Sequence, residues 1–309
     1  MANIDRRTRI GLLGIGGCHA VVMILVNVFF VARIFVVTDE SLVAVGLFSI
    51  VHMSSLFLFF AVSATVSKRT KAVYMTRLSV FLVFVLLVLL LVFDSKLSSL
   101  YILFGFLWGL AEGFYWGAHQ YLKAKGVKRE AAAGFVSASI VILMLVKLIF
   151  PVTLGLLIDR TTFMVAISIT MFFGFLMIVF SFLVAVEREN GSSTRLSIKK
   201  YLVAARERGA HRETMVIFLI AFLKSFIHAS TLLLPVIIIL ALDTNFSLGI
   251  LTTIFGVTSV LAILAYQKFG FKHFWMFGII MFLGSVPLIF MLVFGRLRCS
   301  PDFKQFSVG

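Results

Sequence analysis

The sequence VFLVFVLLVLLLVF occupies residues 80–93 and contains no polar side chain. A transmembrane β-strand alternates apolar and polar residues over about 10 positions, whereas a transmembrane helix needs about 20 largely apolar residues. The run does not alternate, and it lies within a longer apolar stretch at residues 73–93. It therefore predicts a helix that crosses a membrane.

The composition extends this prediction to the whole chain. Of its 309 residues, 61% are hydrophobic and 13% are charged, whereas soluble domains are about 45–50% apolar and about 25% charged. These proportions exclude a soluble globular domain and a disordered chain. We expect an all-α, polytopic helical membrane protein of about nine spans. The qualifying stretches are residues 10–36, 42–66, 73–93, 98–119, 132–157, 163–186, 214–241, 248–266 and 274–295.

The distribution of basic residues orients these spans. With the N-terminus inside, the inside segments hold 20 Lys or Arg, and the first four outside loops hold two. This asymmetry follows the positive-inside rule. It predicts a multi-pass protein of the plasma (cytoplasmic) membrane with a cytoplasmic N-terminus, and it assigns the net charge of +15 to topology rather than to nucleic-acid binding. The inside segments are residues 1–9, 67–77, 120–131, 187–213 and 267–273.

Polarity divides the chain into three parts. Residues 1–186 hold six apolar stretches, residues 187–213 form a basic linker, and residues 214–309 hold three more stretches and a tail. The linker contains an amphipathic basic segment, which would lie on the inner membrane surface or remain a solvated helix. Two helical bundles joined by a long linker are typical of several secondary transporters.

The basic tail, residues 296–309, would fall outside after nine spans, against the charge rule. We therefore expect a chain that stops early and lacks the last three spans of its second bundle. The alternative is a ninth span that does not fully cross.

The fourth stretch carries two informative faces. Gly105, Gly109, Gly113 and Gly117 recur every four residues, so they share one helical face that predicts close packing against another helix. A second face combines one acidic residue with aromatic side chains. Its members are Trp108, Glu112, Tyr115, Trp116 and His119.

Glu112 lies deep within its predicted span. A charge there costs at least about 2.5–3.5 kcal/mol, so the carboxyl group should be paired, protonated or beside a wet cavity. Lys147 in the fifth stretch lies at a depth that differs by roughly 6 Å, at about 1.5 Å per residue. Three interpretations agree with these depths: a structural ion pair between the two residues, a role in substrate or proton coupling, or no relation between them.

Further polar residues occur in other spans. Asn27 follows His19 and Met23 at helical spacing, which places the three residues on one face. A lone buried histidine usually satisfies a helix–helix hydrogen bond, but polar groups on several spans favour a shared wet cavity. Arg33 is expected at the outer end of the first span, near Asp39 and Glu40. The remaining candidates for the cavity are His52, Lys224 and His228.

Signatures of enzymes and metal sites are absent from the sequence. It contains no HEXXH motif, no Walker loop and no G-x-S-x-G element. Its two cysteines, Cys18 and Cys299, can form neither a disulfide framework nor a four-ligand metal site. The sequence therefore predicts no enzyme, no cofactor and no metal.

The sequence GLAEGFYW at residues 109–116 is similar to span four of bacterial members of the major facilitator superfamily of secondary transporters. Over residues 1–295, the six-span half, the basic linker and the partial second half resemble the same family. In span five, Pro151 and Gly155 match two positions of the Gly-Pro-x-x-Gly-Gly element of efflux members. The loop after span two keeps basic residues of the family pattern but lacks its acid and its glycines. Those basic residues are Lys68, Arg69 and Lys71.

The resemblance implies secondary active transport of a small solute by alternating access. Spans one, two, four, five, seven and eight would surround a central cavity, spans three, six and nine would support them, and the loop after span two would take part in the conformational change. Proton coupling would depend on Glu112 alone. The alternative is an inactive truncated remnant, or a membrane interaction protein that does not transport. The cavity residues would be Glu112, Lys147, Trp108, Tyr115, Trp116, Asn27, His52, Lys224 and His228.

Overall fold

The computed structural model describes residues 2–65, 69–127, 129–185, 234–240, 242 and 244–269. This part of the chain consists of helices and short turns and contains no β-strand. Its helices are α1 (Ala2–Ile24), a π-helix (Leu25–Phe30), α2 (Val31–Val37), α3 (Leu42–Thr65), α4 (Arg69–Phe93), α5 (Leu97–Gly126), α6 (Arg129–Arg160), α7 (Phe163–Leu183) and α8 (Asn245–Phe269).

Five apolar helical stretches are long enough to cross a membrane. The longest, Ala72–Lys123, has 52 residues, and a 3₁₀ turn at Asp94–Lys96 divides it into α4 and α5, which pack against each other. The helical fold is therefore confirmed for the described residues, with a helix at each of the first six predicted spans and α8 at the eighth, and the long apolar helices are consistent with a membrane protein. The five stretches are Arg6–Val37, Leu42–Ser63, Ala72–Lys123, Gly134–Arg160 and Phe163–Leu183.

Several sequence predictions fall outside the described residues. The seventh predicted span is described only near its C-terminal end, at residues 234–240, and the ninth span, the linker and the tail are not described. Lys68, Lys224 and His228 also lie outside the described part, as do the side chains of Arg69 and Lys71.

The helices form a bundle in which α5 has a central position. It packs against α3 on one side and α4 on another, while α7 packs against both α1 and α4. Beyond the linker, α8 packs against α6, so the two parts of the chain meet along these two helices. Large apolar side chains cover the outside, as hydrocarbon requires. Examples are Phe57, Phe81, Phe172 and Phe182.

The glycine face of α5 allows the close contact with α3. A Cβ atom at Gly113 would lie 2.6 Å from the carbonyl oxygen of Leu56, and one at Gly117 would lie 2.6 Å from the Cβ of Ser63. A Cβ atom at Gly109 would overlap the carbonyl oxygen of His52. The close packing that the four-residue spacing predicts is therefore confirmed.

Arg33 lies between α2 and the turn that joins α4 to α5. Its Nη2 and Nε atoms donate hydrogen bonds to the Asp94 carboxylate at 3.0 and 3.4 Å, and its guanidinium lies 5.9 Å from the ring centroid of Phe163. Asp39 and Glu40, the acidic residues that follow Arg33 in the sequence, are not its partners. They occupy a left-handed turn, with φ of 53° and 59°, and are exposed to solvent. The partner of Arg33 is therefore Asp94, which is distant in sequence and is brought close by tertiary packing.

Candidate functional site

A cavity of about 550 Å³ lies between helices from both parts of the chain. Ligand pockets commonly measure about 300–1,000 Å³. The first helix, α5, α6, the segment 234–240 and α8 all contribute to its wall. The wall is mostly apolar, and its polar side chains come from several helices. They are His19, Asn27, Tyr115, Trp116, Lys123, Ser139, Lys147 and Thr252.

The predicted site residues separate into two groups. Asn27, Tyr115, Trp116 and Lys147 line the cavity, together with His19 and Met23 of the same helical stripe. The other group lies behind the wall, among packed helices. It consists of Trp108, Glu112 and His52, which are 3%, 5% and 1% exposed.

Asn27 lies in the π-helical part of the first helix. A π-helix inserts an extra residue into a helical turn, and such insertions occur often at functional sites. Here the insertion falls where the helix borders the cavity, beside Met23 and Val28. The amide of Asn27 therefore supplies a donor and an acceptor to an otherwise apolar part of the wall.

Glu112 joins α5 to α3 through a buried cluster of hydrogen bonds. Its Oε2 lies 2.8 Å from Nε2 of His52, and its Oε1 accepts a hydrogen bond of 2.9 Å from Nε1 of Trp116. Both carboxyl oxygens are therefore satisfied, as a buried acid requires. Because Trp116 also lines the cavity, the cluster connects the buried acid to the cavity wall.

The ion pair between Glu112 and Lys147, one of the interpretations that the sequence left open, does not form, because Glu112 is bonded to His52 and Trp116 instead. The predicted depths of the two residues in the membrane are similar, but depth does not say in which direction each side chain points. Glu112 lies on the side of α5 that faces α3, whereas Lys147 packs beside Gly256 of α8. Among the described residues, no carboxylate lies within ion-pair distance of Lys147.

An aromatic stack borders the same part of the cavity. The ring of Tyr115 stacks on His19, with centroids 3.6 Å apart, and on His119, with centroids 4.8 Å apart. His19 also meets the edge of Trp116 at 5.8 Å. The ring nitrogens of His119 and Nε2 of His19 have no hydrogen-bond partner in the described part of the chain. The stack thus fixes the tyrosine ring between α1 and α5.

The C-terminal end of α6 and the N-terminal end of α8 are joined by one carboxylate. Asp159 accepts hydrogen bonds from the backbone N–H of Asn245 at 3.1 Å and of Phe246 at 2.8 Å, and from the Asn245 side chain at 2.8 Å. An acid at a helix N-terminus is favourable because it satisfies free N–H groups and complements the helix dipole. Gly155 and Gly249 allow the two backbones to approach closely in the same region.

The sequence analysis did not identify Lys123, which lines the cavity, or Asp159, which caps α8, as candidate functional residues. Both omissions have the same cause. Both were assigned to loops, because the predicted spans ended at residues 119 and 157. The helices extend further, to Gly126 in α5 and Arg160 in α6. Charged residues in the last turns of a transmembrane helix look like loop residues in a hydropathy profile.

Comparison with known proteins adds no identification. No known family model matches the chain, and no curated protein matches it. Among the described residues, no group of three or more His, Cys, Asp or Glu could hold a metal ion. The function therefore has to be argued from the cavity and its surrounding helices.

Proposed function

We propose that this protein is a secondary transporter that moves a small solute across the membrane by alternating access, as in the major facilitator superfamily. The observation that carries the proposal is the cavity of about 550 Å³ with polar groups on its wall. Polar and ionisable groups within hydrocarbon are costly and usually mark a solute or ion pathway. Both parts of the chain contribute to this wall, as a carrier with two moving bundles requires.

The distribution of helices around the cavity supports the proposal. The first helix, α5, α6 and α8 contribute lining residues, whereas α4 and α7 do not. This division follows the family arrangement, in which spans three and six stand outside the cavity. The family arrangement would also place span two on the cavity, but none of the described side chains of α3 lines the wall; α3 contributes His52 to the cluster of Glu112 instead. The charge asymmetry of the loops supports a plasma-membrane protein with its N-terminus in the cytoplasm.

The contact between α6 and α8 supports an assignment of the side on which the proposed transporter is closed. With a cytoplasmic N-terminus, Asp159 and Asn245 lie at the outer membrane surface. Their three hydrogen bonds hold the bundles together there. We therefore assign the structure to a state that is closed to the outside, and outward opening would break these bonds.

Replacing Asp159 with alanine should increase access to the cavity from outside. The change removes the cap of α8 and all three hydrogen bonds across the contact. A single cysteine at Thr252, which lines the cavity, would report the opening. With Cys18 and Cys299 replaced by alanine, an impermeant maleimide applied outside should label the Asp159→Ala variant about tenfold faster, which corresponds to a shift of about 1.4 kcal/mol.

The matched control is Asp39→Asn, which also removes an exposed outer acid while keeping a residue that tolerates positive φ. Its labelling rate should equal that of the parent protein. Equal rates in the parent protein and in Asp159→Ala would show that this carboxylate does not hold the outer side closed.

The transport proposal itself is tested in proteoliposomes. Vesicles that contain the purified full chain would be loaded with one unlabelled solute and diluted into the same labelled solute, over a panel of small anions, neutral solutes and cations. A transporter predicts saturable counterflow for at least one solute, above the rate in protein-free vesicles. Folded protein with no counterflow for any of them would favour an interaction protein that does not transport.

A further inference from the structure

We infer that the cavity binds organic anions, namely small solutes with a carboxylate or a similar negative group on an apolar or aromatic body. This inference rests on the proposed function for the claim that such a solute is carried across the membrane. The binding preference itself follows from the charges and the shape of the wall.

Among the described residues that line the cavity, all charged side chains are basic. Lys123 and Lys147 line the cavity, and no Asp or Glu does so in the described part of the chain. No carboxylate within that part lies at ion-pair distance from either ammonium group. Both lysines are half-buried. A half-buried ammonium group without a counter-ion is only partly solvated, so an anion that enters the cavity would supply the partner.

Acidic residues are almost absent from the membrane-spanning parts of the sequence. Within the nine predicted spans, Glu112 is the single Asp or Glu. Its two oxygens are already bonded to His52 and Trp116, and it does not line the cavity. A cationic solute would therefore find no available carboxylate among the residues described here, and the seventh and ninth spans contain no acid to supply one.

The two lysines lie on different helices of the wall. Lys123 lies in the last turns of α5, towards the inner side of the predicted topology, and Lys147 lies in the middle of α6. The stem of Lys147 packs beside Gly256 of α8, so this side chain lies where α6 meets α8, and it also lines the cavity. An anion bound to Lys147 would therefore sit where the bundles have to move relative to each other.

The other residues that line the cavity favour an anion whose remaining part is apolar or aromatic. Trp116 of α5 and Phe255 of α8 present aromatic surface, whereas Tyr115 and His19 stack on each other and are only 2% and 4% exposed. Asn27 and Thr252 provide a few hydrogen bonds. A compact inorganic anion would leave this aromatic surface without a partner, whereas an aromatic carboxylate would use both kinds of contact.

Equilibrium dialysis of the purified full chain in a zwitterionic detergent tests the inference. The probes are three labelled ligands of similar shape: 2-naphthoate, the neutral 2-naphthamide and the cationic 2-naphthylmethylamine. Naphthoate should bind about tenfold or more tightly than the amide, and the amine should bind most weakly. Equal binding of the three ligands, or preferred binding of the amine, would overturn the inference.

The variant Lys147→Gln should weaken naphthoate binding by about tenfold and change amide binding by less than about twofold, while Lys147→Arg should retain naphthoate binding. The variant Lys123→Gln gives an independent measurement if Lys147→Gln does not fold. Unchanged naphthoate affinity in the folded lysine variants would also overturn the inference. Anion binding without counterflow would contradict only the transport proposal, whereas counterflow of a neutral or cationic solute without preferred anion binding would contradict only the inference.

Discussion

Replacing Glu112 with glutamine should abolish gradient-driven transport while leaving the helices assembled. Glutamine has nearly the same shape and can still accept the hydrogen bond from Trp116, but it carries no charge and cannot exchange a proton with His52. Because Trp116 lines the cavity, a change in the protonation of this cluster would reach the wall through that side chain. Uptake of the solute identified by counterflow, driven by a proton gradient, is the measurement.

Two variants separate a role in coupling from a role in structure. Glu112→Ala leaves His52 and Trp116 without their shared hydrogen-bond partner, and leaving a buried polar group unsatisfied costs about 1–3 kcal/mol, so its thermal stability should fall. Ser79→Ala removes another buried hydrogen bond to α5, from Ser79 to the carbonyl oxygen of Ala111, and should leave transport unchanged. Normal proton-driven uptake in Glu112→Gln would show that the carboxylate only links α3 to α5 and has no role in coupling.

Replacing Gly113 with leucine should separate α3 from α5 and prevent normal assembly of the first bundle. The first atom of the new side chain would lie 2.6 Å from the carbonyl oxygen of Leu56 and 2.8 Å from the backbone nitrogen of Phe60. Backbone atoms cannot turn aside as a flexible side chain can. Overpacking of this kind typically costs about 1–3 kcal/mol and sometimes more. The measurements are the yield of monodisperse protein and its thermal unfolding temperature.

Gly46 provides the matched control on α3 itself. A Cβ atom there meets nothing within 4 Å, so Gly46→Leu should fold normally and gain slightly in helix propensity. Equal yield and unfolding temperature for the two leucine variants would mean that the glycine face of α5 does not determine helix packing. Loss of assembly in Gly113→Leu alone would show that the bundle depends on this close contact.

Much of the helical architecture was predictable because hydrophobic length and helical spacing are local properties. The run at residues 80–93 predicted a transmembrane helix, and α4 includes it. The spacing of Gly105 to Gly117 predicted a close helix contact, although the sequence did not say that α3 would be the partner. The spacing of the glycines therefore predicted which face of α5 packs closely, and only the structure shows that this face packs against α3.

The partners of charged residues could not be predicted in the same way. Depth placed Glu112 and Lys147 at similar levels, but the rotation of each helix about its axis decides which neighbour a side chain meets. The glycine face turns α5 towards α3, so Glu112 meets His52 instead. Arg33 likewise meets Asp94, which is distant in sequence, because the turn after α4 lies beside α2.

Transport by alternating access requires that the cavity be reached by water from either side of the membrane. A single cysteine at Asn27, with Cys18 and Cys299 replaced by alanine, tests this requirement in oriented vesicles with an impermeant maleimide applied first inside and then outside. The control is Phe172→Cys, which lies on the exposed apolar surface of α7. We predict labelling of the Asn27 position from both sides and no labelling at Phe172. Labelling of the Asn27 position from neither side, or from one side alone under every solute gradient, would contradict a transport pathway through this cavity.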